Sequence, residues 1–278
     1  MLRTRQALLV VSVLAITSSL GLRLALAQED GPEQDQAEEV QRQRTRELMT
    51  ARWKKLRAFE RVAGKETEVD RVQEPIFSYS EPTRETGGVG TVWVWGTTGR
   101  PVALLSLSKA HGRPVWGFEL VALEEGVSVV MHDGWRWSPE SALKMTSLKD
   151  AQPPAESNAR RLSQMKRLVE QFKLWEEYRG DKFELRLLPR PVYRYQDEKA
   201  GLIDGALFNF AHGTNPEVFA VIECRKETSG PTWSYGFLPL AGARVTATLD
   251  GKTVWTKELT RESRAQEMYS TWLETEAE

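Results

Sequence analysis

The chain is poor in the residues that announce chemistry. It has one cysteine, Cys224, and three histidines, His111, His132 and His212. A single thiol excludes an internal disulfide, so stability must come from a packed core. Cys224 itself reads as a small apolar filler in a strand rather than a reactive thiol. The histidines lack the His-x-His or His-Glu-x-x-His spacing that carries two ligands to one metal, so no metal site and no cofactor are expected. His132 precedes an Asp-Gly turn, His111 sits in a hairpin-like loop, and His212 lies in a matching loop further along. No Gly-x-Ser-x-Gly elbow is present, and Gly87-Gly88-Val89-Gly90 lacks the lysine and helix of a phosphate loop. No catalytic residue is singled out on these grounds. Nor is there a basic excess: 38 Lys and Arg stand against 39 Asp and Glu, which removes the electrostatic footprint needed to bind nucleic acid.

What is present begins with an address. Arg3 and Arg5 precede an apolar run over 7–22, and Ala25-Leu26-Ala27 is a small-x-small cleavage site before Gln28-Glu29-Asp30. Export to the periplasm or beyond the cell is expected, with cleavage after Ala27. The run is short for a span and Arg23 interrupts it, so no stable membrane span remains after cleavage. Residues 28–39 are acidic without apolar periodicity and read as a disordered arm.

Beyond the arm the chain matches itself at an offset of about 116 residues. Gly64 falls on Gly180, Pro75 on Pro191, Gly90 on Gly205, Pro101 on Pro216, Asp133-Gly134 on Asp250-Gly251, and Trp137 on Trp255. Met49, Trp53, Leu56, Phe59 and Ala63 form one helical stripe, and Leu162, Met165, Val169, Phe172 and Trp175 another. Gly64 and Gly180 are placed to stop those helices. Short alternating runs follow, with Trp93 and Trp95 on one side of a strand and Val92 and Val94 on the other. The expectation is an α+β fold, a tandem duplication of a helix followed by a five- to six-stranded antiparallel meander sheet, as an internal pseudo-dimer within a monomer. The copies would span 40–138 and 157–258, with a linker over 139–156. Ala265, Met268, Trp272 and Leu273 suggest a C-terminal helix within the tail 259–278.

The second copy carries a resemblance. Leu185-Arg186-Leu187-Leu188-Pro189-Arg190-Pro191-Val192-Tyr193-Arg194-Tyr195, Asp204-Gly205-Ala206-Leu207-Phe208 and Gly213-Thr214-Asn215-Pro216-Glu217 resemble a family of exported proteins from planctomycete-type bacteria. The likeness runs more loosely over the first copy. It implies no activity, so no functional residue follows from it.

Tryptophan is the most informative residue type. Those with an aromatic or apolar counterpart in the other copy (Trp53, Trp93, Trp95, Trp116, Trp137, Trp175 and Trp255) are expected in the core. Trp135, Trp233 and Trp272 lack a clear aromatic counterpart and are the candidate ligand-binding residues, able to stack on a sugar ring or anchor a peptide. The leading expectation is an exported, non-catalytic binding or scaffold protein of the cell envelope, with an envelope glycan or a protein as partner. One alternative is a hydrolase of envelope glycan or peptide using carboxylates such as Asp204, Glu119 or Glu223. Another is an inhibitor or docking module that accepts a peptide strand at a sheet edge.

Overall fold

Three two-residue turns explain why strands replace much of the expected helix. Ala63-Gly64, Arg179-Gly180 and Asp250-Gly251 all have positive φ at both positions, the geometry of a type I′ hairpin turn. Gly64 and Gly180 therefore join strands rather than stopping helices. The computed structural model describes residues 32–80, 88–260 and 264–276, and the expected export segment 1–27 lies outside them.

The chain divides after Gln43. Helix α1 runs Pro32–Trp53, so it starts inside the stretch read as an arm. In its first part Arg42 pairs with Glu38 and Glu39 one turn back. From Arg44 onward, α1 ends and the hairpin β1 (Arg57–Val62) and β2 (Lys65–Glu68) begins. Then come β3 (Phe77–Ser80), β4 (Val89–Trp95), β5 (Ala103–Lys109), β6 (Val115–Ala122), β7 (Val127–Val130), β8 (Arg136–Trp137) and β9 (Thr146–Ser147). Helix α2 (Asn158–Val169) starts at Ser157, whose side chain accepts from the Arg160 N–H. After it come β10 (Phe172–Tyr178), β11 (Asp181–Glu184), β12 (Arg186–Leu187) and β13 (Tyr193–Asp197). The chain ends with β14 (Leu202–His212), β15 (Asn215–Glu227), β16 (Gly230–Pro239), β17 (Arg244–Leu249), β18 (Lys252–Lys257) and β19 (Tyr269–Thr275).

These strands form four antiparallel sheets in propeller-like succession, each packed face to face on its neighbour. The first outer sheet is β2-β1-β7-β8 and the second is β11-β10-β17-β18. The first central sheet is β19-β6-β5-β4-β3, and the second is β12-β14-β15-β16-β9 with β13 also on β14. One core, with Met49 and Trp53 of α1, lies between the first outer and first central sheets. Another, with Met165 and Val169 of α2, lies between the second pair. A third joins the two central sheets through residues such as Val92, Val94, Phe219 and Val221. Between these central sheets the rings of Tyr79 and Tyr195 cover Gly90 and Gly205, where any Cβ would overlap them.

This overturns the expected α+β unit of helix plus single meander. The described residues are mostly β, 50% strand against 14% helix, and the strands of each half divide between two sheets. The predicted stripes cross the boundary: Leu56, Phe59 and Ala63 lie beyond α1, and Phe172 and Trp175 belong to β10. The physical reason is that period 2 wins there. Leu56 and Ala58 are buried while Arg57 between them is exposed, as are Phe172 and Leu174 around Lys173. The expected C-terminal helix is also a strand. β19 pairs with β6 from Tyr269↔Val121 to Thr275↔Val115, closing an edge that a helix would leave open. In return β9, from the segment after the first half, pairs with β16. The first central sheet thus takes an edge strand from beyond the second half, and the second takes one from the segment that links the halves.

Candidate functional site

The candidate tryptophans fall into two places. Trp135 is half-buried beside the β7–β8 turn, where its backbone N–H donates to Asp133 Oδ1 at 2.9 Å. Trp272, on β19, meets Phe118 edge-on at 4.9 Å and His132 at 5.6 Å. Both pack against the first core. Trp233, on β16, belongs to the second core, only 2% exposed, and its indole N–H donates to the Gln152 carbonyl at 3.1 Å. The structure therefore does not gather the three into one site.

Trp233 instead forms the inner wall of a cavity of about 500 Å³. The outer wall is the segment 147–152 and one side of α2, and Gln152, Arg167, Gln171, Tyr235 and Asp250 also reach it. This segment is strapped down at several points. Leu148 N donates to Trp233 O at 2.9 Å, and Gln164 of α2 donates to Pro153 O at 2.9 Å while accepting from Ala155 N at 2.8 Å. The result is a preformed recess floored by buried aromatic residues, with amide, guanidinium and carboxylate groups around them.

A second cavity, of about 610 Å³, lies beside Trp255, Lys257, Glu267 and Tyr269. The Lys257 ammonium donates to Glu258 O at 3.0 Å, Ala243 O at 3.2 Å and Thr260 Oγ1 at 2.8 Å. Burial pushes its pKa down to about 8. Four oxygen neighbours, with Gly242 O at 3.4 Å the fourth, make it a clamp on the β16–β17 connection rather than a nucleophile.

The carboxylates considered for hydrolysis are committed elsewhere. Glu223 takes a two-pronged bond from Arg100, 2.7 Å at each oxygen, plus Tyr195 at 2.8 Å and Arg225 at 2.9 Å. Burial alone would raise its pKa, but the bonds and charge of Arg100, then Arg225 and Tyr195, hold it below the usual carboxylate value. Asp204 is gripped by Arg194 at 2.6 and 2.8 Å and by Arg161 at 3.0 Å. Glu119 accepts from the Tyr269 hydroxyl at 2.6 Å. Cys224 is buried, and burial raises its thiol to about 11, which keeps it protonated and unreactive at neutral pH.

One group escaped the sequence reading. Glu176 of β10, His212 at the end of β14 and Glu217 of β15 bring one ligand atom each within 4.8 Å of one another. Both glutamates are wholly buried, and His212 Nδ1 lies 3.0 Å from Glu176 Oε2. Local spacing could not reveal the trio, because three strands of two sheets assemble it. The available signal was Glu176 itself, the polar break in the buried series Phe172, Leu174, Glu176 along one face of β10.

No helix among the described residues is long and apolar enough to cross a membrane. No protein-family model, curated protein or solved structure matches the chain.

Proposed function

We propose that the protein is an exported, non-catalytic binding protein of the cell envelope that takes a saccharide unit of an envelope glycan in the recess beside Trp233. The observation that carries this reading is the lining of the recess. The buried Trp233 and Tyr235 line its floor, and Gln152, Arg167, Gln171 and Asp250 surround them with donors and acceptors. A sugar offers the complement, hydroxyls around an apolar ring face. The export expectation and the resemblance to exported proteins set where such a ligand would be met.

The test is thermal unfolding of the chain from Gln28 to Glu278 with glycan fragments, peptides and lipids added singly. A glycan at 100 times its dissociation constant adds about 2.7 kcal/mol to stability, a readily measured shift. Arg167→Ala and Asp250→Asn should remove the shift, while Trp135→Ala and Trp272→Ala should leave it. A shift that survives both recess variants would place the ligand elsewhere. Release of new reducing ends from a glycan would convert the reading to that of a hydrolase.

A further inference from the structure

We propose that Glu176, His212 and Glu217 form a binding site for one divalent transition-metal ion, separate from the recess beside Trp233. The donor set is two carboxylate oxygens and one imidazole nitrogen, which suits zinc and its first-row neighbours rather than calcium. Ligands about 2.1 Å from a tetrahedral metal stand about 3.4 Å apart, so donors within 4.8 Å need only small side-chain rotations to close on an ion.

The supporting groups are those a metal site requires. The Phe183 ring lies 4.4 Å from the His212 ring and fixes its plane. Asn215 Nδ2 donates to Glu217 Oε1 at 2.7 Å and orients that carboxylate. His212 Nδ1 and Glu176 Oε2 already face each other at 3.0 Å, where an ion would take the place of a shared proton.

A second argument comes from the other half of the chain, where the same backbone positions do without the trio. Glu176 pairs with Val245 as Glu60 pairs with Val127, and Leu240 N bonds Glu217 O at 2.8 Å as Leu123 N bonds Val102 O at 2.9 Å. The counterparts are a half-exposed Glu60, an exposed Thr97 in the place of His212, and Val102. The framework therefore accepts valine where it carries Glu217. A wholly buried carboxylate is costly to desolvate, so the trio is something the second half carries in addition to the shared framework.

The experiment is calorimetric titration of the chelator-dialysed chain from Gln28 with Zn²⁺, and in parallel with Mn²⁺, in two buffers of different ionisation enthalpy. One equivalent should bind with proton release and raise the unfolding midpoint. His212→Gln, Glu217→Gln and Glu217→Val should each weaken binding by more than the roughly 10- to 100-fold that loss of a supporting contact produces. X-ray absorption on the zinc-loaded parent should report mixed nitrogen and oxygen donors, a readout independent of whether each variant folds. Absence of saturable binding by the parent, unchanged binding in the variants, or a shell containing sulfur or oxygen alone would overturn the proposal.

Discussion

The two layers between outer and central sheets have the same strand order and opposite chemistry. The first is filled with indoles. Trp53 lies 5.2 Å from Trp93 and 4.3 Å from Trp95, and Trp116 and Trp137 complete the set. Their N–H groups are largely satisfied in place: Trp53 donates to Val72 O, Trp93 to Thr91 Oγ1, Trp116 to Glu276 and Trp137 to Glu267 O. The second layer relies mainly on phenyl rings beside Trp233, with Phe208 where the first has Trp93, and admits charged side chains among them. Phenyl groups need no polar partner, so hydrogen-bonding capacity in this half is left for Glu176 with His212 and for Asp204 with Arg161. One framework thus carries an indole-rich filling on one side and, on the other, one that includes buried charged side chains.

The largest test of that contrast is truncation at the matched position. Trp93→Ala and Phe208→Ala should each cost about 3–5 kcal/mol by urea unfolding, because both side chains are wholly buried. Similar losses would show that both layers depend on packing alone at that point. A much smaller loss for Phe208→Ala would mean that the ions hold the second layer.

Next in size is the clasp between the central sheets. Arg100, from the β4–β5 connection, reaches Glu223 of β15, so it ties the first half to the second. Arg100→Met should cost about 3 kcal/mol by removing the two-pronged partner of a buried carboxylate, and adding Glu223→Leu should recover only part of it, because the buried Tyr195 hydroxyl then loses its acceptor. Acid sharpens the same point. The folded-state pKa of Glu223 is depressed, so its contribution is present above the unfolded carboxylate value and is lost as pH falls through the folded one. The parent should therefore lose stability in acid faster than the double variant.

Much of the strand content was legible in the chain because alternation is local. Trp93 and Trp95 face the first core and Val92 and Val94 the third, and Asp250-Gly251 makes a two-residue hairpin. The helix ends were not, because Met49, Trp53, Leu56 and Phe59 satisfy a helical spacing while Leu56 and Ala58 also satisfy a strand's. Only the partner strand β7 decides between them. Trp272 misled for a related reason: Met268 and Trp272 touch one core as an extended segment because the free edge of β6 is there to receive it. Among the residues of the two candidate sites, Trp233 was open to selection by residue type, whereas Glu176, His212 and Glu217 meet only through the tertiary fold.

A smaller asymmetry lies at the helices. Ser157 Oγ accepts from Arg160 N at 3.4 Å and starts α2, which packs on the charged layer. Ser157→Ala should cost about 1 kcal/mol, and chemical denaturation would read it. The loss should be the same with and without zinc, since Ser157 supports the helix and not the trio.

A pH-dependent asymmetry lies at Lys257, on the second outer sheet. Burial depresses its folded-state pKa to about 8 from an ordinary 10.5. Below pH 8 both folded and unfolded chains hold the proton, and the desolvated ammonium weighs against folding. Between pH 8 and 10.5 the unfolded chain binds more protons than the folded one, so this group's contribution makes stability rise with pH, and above that range the gain is complete. Lys257→Met removes the titration together with the bonds to Ala243 O and Glu258 O. Measured across pH 7 to 11, the parent should gain stability relative to Lys257→Met through that window. A flat difference would mean that the oxygen clamp outweighs burial and holds the ammonium charged throughout.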